Sequence, residues 1–283
     1  MFNHKHLHNR KKQQTSVHLQ KGEIIRINLS KPSEMKKTGL ALGGGAVLGA
    51  AHVGALRAID KFDIKINFIA GTSIGAFVAA FFAFGKNWQD INKIASDLKW
   101  IDITGISLSR YALLSNEKLG ELIVEHIGDK NIQDANIPLA IVATDVSRGK
   151  KVVLDKGSVA DAVMASTCIP GLFRPVKINK QLLVDGGIVE NVPVKTVTQM
   201  GAEYVIGVDL NARHTYEKPD NILDVIINSF HYLMQQSDKL QTVHANQMIK
   251  PDLSAFNRSN MNQVDELMKA GYEDSKKALK KNF

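Results

Sequence analysis

A serine flanked by glycines is the first feature of this sequence that could carry out chemistry. In the stretch "IAGTSIGAF", Ser73 lies between Gly71 and Gly75 in a G-x-S-x-G pattern, after an apolar run and before a run of small residues. A strand, a tight turn and a helix in this order form a nucleophile elbow, whose strained serine needs neighbours without Cβ atoms. An ordinary glycine-containing turn is the alternative. The pattern makes Ser73 a candidate nucleophile.

A run of glycines upstream of this serine could supply what an acyl-transfer nucleophile lacks. The run lies in "LALGGGAVLGAAHVG". Attack on an ester carbonyl builds negative charge on its oxygen, and each N–H donor fixed there is worth about 2.7–4 kcal/mol. Consecutive glycines let the main chain curl around that oxygen. The dinucleotide fingerprint G-x-G-x-x-G is excluded, because Leu48 stands at its last position counted from Gly43, and Ala46 at its third position counted from Gly44.

An aspartate followed by two glycines is the third feature. In "LLVDGGIVENVPV", an apolar strand runs into Asp185, Gly186 and Gly187. An isolated D-G-G is most often a turn, since aspartate and glycine both favour turn conformations. In a chain that also contains the serine and the glycine run, Asp185 becomes a second candidate for chemistry.

Short apolar runs alternate with helical patterns, which indicates βαβ units and a mostly parallel sheet that would position these motifs. The predicted strands are residues 38–42, 66–70, 138–146, 150–155, 181–187 and 202–210. The predicted helices are residues 48–60 and 74–84 and, after Arg213, residues 221–241 and 261–281. Residues 88–127 are more helical and polar, as an insertion or a cap would be.

Composition indicates a single large α/β domain in a reducing compartment. The 283 residues are 44% hydrophobic, enough to bury a sizeable core. The single cysteine, Cys168, excludes an intramolecular disulfide framework and favours a cytoplasmic location. The N-terminus lacks the apolar block of a secretory signal, and "GAFVAAFFAFG" is shorter than the roughly 20 residues of a membrane-spanning helix.

The chain is basic, with a formal net charge of +8 and an isoelectric point near 9.4. Such a charge suits nucleic acid or an anionic membrane surface, and composition alone does not separate the two. Residues 1–22 contain basic side chains and no acid, so residues 1–37 are predicted to form a largely disordered basic tail. This tail could be merely solvated or could make a peripheral contact with anionic lipid.

The motifs "GGGAVLG", "GTSIG" and "DGG", in this order and spacing, resemble the three signatures of the patatin-like phospholipase family. The blocks "ATDVSRGKKVVLDKG" and "MASTCIPGLFRPV" are similar to family segments before the aspartate. The resemblance covers residues 38–210. It implies a three-layer α/β/α fold, with a catalytic domain at residues 38–212 and a C-terminal helical extension at residues 213–283.

Carried over residue by residue, the resemblance implies a Ser-Asp dyad and two steps of chemistry. Ser73 would form an acyl-enzyme and release an alcohol or a lysolipid, and Asp185 would take the serine proton and then activate water. The substrate would be a lipid ester, with no metal, cofactor or nucleic acid involved. A non-catalytic lipid-binding or regulatory module is the alternative. The implied oxyanion donors are Gly44 and Gly45, with Gly43 or Ala46 as a third.

The sequence departs from the family pattern at two positions. Ala46 stands where glycine is usual and has less access to positive φ, so the loop could be shaped differently. Leu48 stands where arginine or lysine is usual, which removes a cation that could contact a lipid phosphate. We therefore expect neutral esters to be preferred over phospholipids, unless residue 48 is simply a packing residue of the core.

Other reactive residue types are expected to be structural. His52, after the glycine run, and Cys168 are interpreted as packed core residues. His214, His231 and His244 follow Asp185, so a triad in the order Ser, Asp, His remains formally open.

Overall fold

The computed structural model describes residues 36–97, 105–109, 112–213, 218–220, 222–257 and 260–283. Most of the predicted basic tail, residues 1–35, lies outside the described residues. Lys36–Phe283 form one compact unit, so the predicted catalytic segment and the segment after Arg213 fold together.

The central sheet is mixed, with mostly parallel strands at its centre. Its strand order is β10-β9-β1-β2-β5-β8-β7, and β6 also pairs with β5. The pairs from β10 to β5 are parallel, whereas β5 pairs antiparallel with β6 and β8, and β7 with β8. The bounds are β1 Thr38–Leu42, β2 Phe68–Thr72, β5 Leu139–Asp145, β6 Lys150–Leu154, β7 Val176–Ile178, β8 Gln181–Asp185, β9 Tyr204–Val208 and β10 Gln247–Ile249. A separate hairpin contains β3 Gly105–Ser109 and β4 Ala112–Ser115.

Helices cover both faces of this sheet. Because successive side chains of a strand point to opposite faces, Leu40 and Leu42 of β1 join the larger core cluster, while Ala41 joins a second cluster. The second cluster includes Val194 and Val197 from α6. This arrangement confirms the predicted three-layer α/β/α fold. The helix bounds are α1 Ala50–Lys61, α2 Ile74–Ala83, α3 Trp88–Asp97, α4 Glu117–Ile127, α5 Val159–Ser166, α6 Val194–Gln199, α7 Ile222–Gln241 and α8 Val264–Leu279.

Strand β5 brings together the ends of β2 and β8, two strands that are far apart in the sequence. On β5, β2 pairs with residues 139–142, β8 with residues 143–145 and β6 with residues 141–145. A strand has only two edges, so β6 occupies one of them and β2 and β8 share the other. Thr72 ends β2 opposite Val142, and Asp185 ends β8 opposite Ala143. The antiparallel strand β8 and the parallel strand β2 therefore meet end to end.

The segment after Arg213 contributes more than helices. β10 extends the sheet by pairing parallel with β9, and the sequence pattern did not predict it. Helix α8 lies directly against α1, since a Cβ on Gly54 would be 2.1 Å from the carbonyl oxygen of Met268, and one on Gly271 would be 2.2 Å from that of Ala51. Among the described helices, none has the length and apolar content needed to cross a bilayer.

Candidate active site

Ser73 has the strained backbone of a nucleophile elbow. It has φ 55° and ψ −129° between the end of β2 and the start of α2. A Cβ on Gly71 would lie 2.4 Å from the Gly75 carbonyl oxygen, and one on Gly75 would lie 2.2 Å from the Leu42 carbonyl oxygen. Real Cβ atoms do not approach backbone so closely, so both glycines are required by the crossing of β1, β2 and α2.

A second serine anchors this turn. Ser166, at the end of α5, accepts a hydrogen bond from the Ser73 N–H at 2.8 Å and donates its hydroxyl to the Val142 carbonyl at 2.7 Å. The tether links the strained turn to the strand that also pairs with β8. Sequence analysis did not single out Ser166, although it lies in the family block "MASTCIPGLFRPV".

Asp185 is brought to Ser73 by the meeting of β2 and β8. Its carboxyl group is fully buried. Oδ1 accepts a hydrogen bond from the Gly187 N–H at 2.8 Å, and Oδ2 has no hydrogen-bond partner among the described residues. Burial raises the pKa of Asp185 to about 7, while the Ser73 hydroxyl and the Gly187 N–H lower it. The hydroxyl thus interacts with the carboxyl without a hydrogen bond of good geometry, as is common in substrate-free sites.

The carbonyl groups of the glycine loop, residues 43–45, are all hydrogen-bonded. The Gly43 oxygen lies 2.7 Å from Nε2 of the buried His52. The Gly44 oxygen accepts from Nδ2 of Asn211 at 2.9 Å, and the Gly45 oxygen accepts from the Leu48 N–H at 3.2 Å. Three consecutive peptide planes are therefore fixed by hydrogen bonds to their carbonyl groups.

The N–H groups of the glycine loop and of Ala46, which follows it, divide into two engaged and two free. Those of Gly43 and Gly44 donate to the Val208 carbonyl at 3.1 Å and to Oδ1 of Asn191 at 2.9 Å. In the described part of the chain, the N–H groups of Gly45 and Ala46 have no acceptor. In a trans peptide, the N–H of a residue points opposite to the C=O of the residue before it. The hydrogen bonds to the Gly44 and Gly45 carbonyls therefore fix the directions of the Gly45 and Ala46 N–H groups, which point away from those carbonyls.

This result corrects one part of the expected oxyanion hole. Gly44 was expected to be a main donor, but its N–H is engaged by Asn191 in this structure. Its role is steric, because a Cβ there would lie 2.8 Å from Oδ1 of Asn191 and 3.0 Å from Cβ of Ser73. Sequence analysis did not identify Asn191 or Asn211. An asparagine in "VENVPV" or "DLNAR" carries no local signal of a distant backbone contact.

The two departures from the family pattern have different outcomes. Ala46 has a positive φ, 52°, so the loop holds a strained residue at this position. Leu48 is fully buried in the larger core cluster. Of the two alternatives for position 48, the structure supports the packing residue, because an arginine there would place an unpaired charge in the core.

The structure describes three of the four candidate histidines, and His52 is the one whose role it defines. Burial lowers the pKa of His52 to about 4, so its ring is neutral and donates from Nε2 to Gly43. This confirms the interpretation of His52 as a packed core residue. His231 is buried in α7 and His244 is exposed, and neither is among the groups that shift the pKa of Asp185. His214 lies outside the described residues.

Cys168 is also a core residue, as expected. It is fully buried, and its thiol donates to the Phe173 carbonyl at 3.3 Å. Burial, followed by the charge of Asp185, raises the pKa of Cys168 to about 12, which keeps the thiol protonated. Among the described residues, no cluster of three or more His, Cys, Asp or Glu side chains is placed to hold a metal ion.

An apolar cavity opens beside Ser73. It encloses about 880 Å³, including space open to solvent, and has no charged side chain in its lining. Phe77, Ile91 and Val264 bring α2, α3 and α8 to its wall, whereas Ser73 and Thr167 supply its polar side-chain atoms. Its apolar walls suit a hydrocarbon chain.

Comparison with known proteins agrees with this geometry. A patatin-like phospholipase family model matches residues 40–198. An uncharacterized NTE family protein of Mycobacterium bovis is 33% identical over 184 residues, which cover 63% of this chain and 50% of that protein. Lysophospholipase NTE1 of Meyerozyma guilliermondii is 29% identical over 203 residues, which cover 70% of this chain and 14% of that protein. The chain spans half or less of the length of these relatives.

A solved structure shares the fold. The crystal structure of VipD from Legionella pneumophila matches with a TM-score of 0.50 at 15% identity and covers 87% of this chain and 67% of that one. The family model covers more than half of the 283 residues. The chain therefore belongs to the patatin-like phospholipase family.

Proposed function

We propose that this protein is a serine acyl hydrolase that cleaves carboxyl esters of lipids. The observation that carries the proposal is a convergence at one end of an uncharged cavity. Ser73, with its strained backbone, and Ala46, which follows Gly45, line the cavity, and the Ser73 hydroxyl interacts with the buried carboxyl group of Asp185, whose pKa is raised. A non-catalytic lipid-binding module would need the cavity but not the elbow strain or the buried acid, both of which cost stability.

The first half of the reaction would form an acyl-enzyme. Asp185 accepts the hydroxyl proton of Ser73 as Oγ attacks the ester carbonyl carbon. The developing oxyanion is bound by the N–H groups of Gly45 and Ala46, and the tetrahedral intermediate then expels the alcohol, which takes the proton from Asp185. Because Asp185 accepts a proton only when ionised, kcat/KM should fall as the pH falls below about 7.

The second half would release the fatty acid. Water replaces the departed alcohol, Asp185 takes a proton from it, and the hydroxide attacks the acyl carbon. The same two N–H groups bind the second oxyanion, after which Oγ of Ser73 leaves and regains its proton.

The cavity favours substrates with a long acyl chain. Its walls offer no charged partner for a phosphate, so the acyl chain would occupy it while the rest of the lipid remains outside. This supports lipid esters as a class without selecting a headgroup. The name of one relative, a lysophospholipase, agrees with that class.

A fluorophosphonate probe tests the proposal directly. The probe should label the wild-type chain at Ser73, as mapped by mass spectrometry, and Ser73→Ala should abolish labelling. Ser158→Ala is the matched control, because that serine caps α5 and should leave labelling unchanged. kcat/KM for esters of increasing acyl length should then rise until the cavity is filled. Lipid binding without labelling or turnover would favour the non-catalytic module.

A further inference from the structure

The acceptor that holds the Gly44 N–H is itself held by helix α7. Asn191 donates from Nδ2 to Oδ2 of Asp238 at 2.6 Å, and the Val192 N–H donates to the other oxygen, Oδ1, at 3.2 Å. Asp238 lies in α7 and is 3% exposed. A buried chain of hydrogen bonds thus runs from α7 through Asn191 to the glycine loop.

The carboxylate fixes the direction of this chain. Burial raises the pKa of Asp238 to about 7. Above that pH the carboxyl group is ionised and only accepts hydrogen bonds, so Asn191 turns its NH₂ toward Asp238 and its oxygen toward the Gly44 N–H. The reversed amide would set an oxygen against the carboxylate and an NH₂ against the Gly44 N–H. Asp238 therefore selects the orientation of Asn191 in which Gly44 is bound.

A second contact from α7 reaches the other side of Gly44. Gln235 donates from Nε2 to the Asn211 backbone oxygen at 3.1 Å, and Asn211 donates from Nδ2 to the Gly44 oxygen at 2.9 Å. Residues 235 and 238 are three apart and lie on one helix face. Helix α7 thus supports both asparagines that hold the loop, although it lies outside the matched residues 40–198.

We propose that Asp238 is a positioning residue for the oxyanion hole, acting through Asn191 to fix the glycine loop. The inference rests on the proposed function, because it assigns a purpose to the loop that Asp238 holds. Fixing the peptide between Gly43 and Gly44 sets the start of the loop, and with it the direction of the free N–H of Gly45. If Asp238 only packed against its neighbours, the orientation of the Asn191 amide would not matter.

The cost of the buried acid supports the same assignment and guides the choice of variant. Burial and the charge of Asp209 raise the pKa of Asp238, while the hydrogen bonds from Asn191 and Val192 and the charge of Lys250 lower it. Keeping a carboxylate there costs stability, so Asp238→Asn, which has the same shape, should fold.

The test exchanges the two side chains. In Asp238→Asn, the new amide has two orientations. If its NH₂ faces the Val192 N–H, two donors meet there. If its oxygen faces Val192, its NH₂ requires the Asn191 oxygen, and the Asn191 NH₂ then faces the Gly44 N–H. The double variant Asp238→Asn with Asn191→Asp restores every bond: the carboxylate at position 191 accepts from Gly44 and from the amide at position 238, whose oxygen accepts from Val192. Asp224→Asn is the matched control on the same helix, where the carboxylate accepts from the Asp220 N–H.

Two measurements separate this inference from the proposed function. Hydrogen exchange by mass spectrometry should show faster exchange of the peptide containing residues 43–46 in Asp238→Asn, and wild-type protection in the double variant and the control. With a lipid ester, Asp238→Asn should lower kcat by about 10–100-fold and change KM by less than about threefold, and the exchange of side chains should restore kcat. An inactive wild type would overturn the proposed function, while the exchange data would still test the clamp.

Three outcomes would overturn the inference. The first is wild-type exchange and kcat in Asp238→Asn. The second is a change in KM alone. The third concerns Asn191→Ala, after which adding Asp238→Ala should have little further effect, because members of one unit are not additive. A full additional loss of kcat would show that Asp238 does not act through Asn191.

Discussion

The glycine loop and Asp185 both lie beside Ser73, but their polar groups are hydrogen-bonded to very different degrees. In the loop, the carbonyls of residues 43–45 each have a hydrogen-bond partner. The Gly44 N–H is held by Asn191, which is itself held by Asp238. Asp185 instead keeps one buried oxygen, Oδ2, without a hydrogen bond. The backbone of the glycine loop is tightly fixed, whereas the carboxyl group of Asp185 keeps an unsatisfied hydrogen-bond acceptor.

The difference matches the two tasks that the mechanism assigns. Donors for an oxyanion are effective when they are already in place, because no reorganisation is then needed during the reaction. A general base is effective when its pKa lies near the working pH, and an unsatisfied buried carboxyl group meets this requirement. Under the proposed mechanism, the contrast teaches that a rigid loop suits the binding of an oxyanion, whereas incomplete hydrogen bonding suits a general base.

The largest expected effect comes from removing the dyad. Ser73→Ala and Asp185→Asn should each lower kcat for a lipid ester by at least about 10³-fold, and the double variant should be no worse than either, because the two act as one unit. Circular dichroism should show that both remain folded. Asp161→Asn, an exposed change on α5, is the control. A comparable loss in His231→Gln or His244→Gln would instead indicate a histidine triad.

Removing one loop tether should have a smaller effect on rate. Asn211→Ala frees the Gly44 carbonyl and, with it, the direction of the Gly45 N–H, so kcat should fall by about 10–100-fold with little change in KM. Steady-state kinetics measures both. Asn246→Ala is the matched control, since this asparagine also binds a backbone group, the Val205 N–H, but far from the loop. Equal losses in both variants would mean that general destabilisation, not loop geometry, lowers the rate.

The unsatisfied carboxyl group of Asp185 should make the stability of the protein depend on pH. The folded-state pKa of Asp185 is raised to about 7, so its favourable contribution is present below about pH 4 and is lost as the pH rises through 7. Asp185→Asn should therefore be more stable than wild type at pH 8, by up to about 4 kcal/mol in the free energy of unfolding, and should unfold at a higher temperature there. Near pH 4 the two should differ little. Thermal melts at both pH values measure it. A pH-independent difference would contradict the assigned cause.

The smallest expected effect concerns strain within the fixed loop. Ala46 holds positive φ, a conformation that costs alanine about 1–2 kcal/mol and glycine almost nothing. Ala46→Gly should raise the free energy of unfolding by about 1 kcal/mol and change kcat by less than about threefold, as measured by denaturant titration and kinetics. Ala58→Gly, the same change inside α1, should lower stability. A loss of stability in Ala46→Gly would show that the methyl group packs more favourably than the strain costs.

Local sequence patterns predicted most of the framework. The strands before Ser73 and Asp185 follow from apolar runs that end in glycine-rich turns, and helices α1, α2, α7 and α8 follow from their periodicity. The pattern missed β10, a three-residue strand, because three residues show no alternation to recognise. It also missed the hairpin of β3 and β4, which lies within the region expected to be more helical.

The details of the site were harder to predict for a physical reason. Gly44 and Asn191 are 147 residues apart, and Asn191 and Asp238 are 47 apart, so nothing in the neighbouring sequence marks either hydrogen bond. Motifs place Ser73, Asp185 and the loop, but which N–H groups stay free depends on the direction of each peptide plane. The catalytic roles of Ser73 and Asp185 themselves stay predictions until they are measured.

The shared edge of β5 limits how the chain can change in length. Val142 and Ala143 are neighbours, and they fix the ends of β2 and β8 respectively. One inserted residue between them would move Asp185 by about 3.3 Å and turn it to the opposite face of the sheet. The exposed residues 147–149 of the following turn lie past the last hydrogen bond to β8, from the Val146 N–H to the Leu182 carbonyl, and have no such restriction. Insertions and deletions that preserve activity should therefore accumulate in that turn and be absent from the strand.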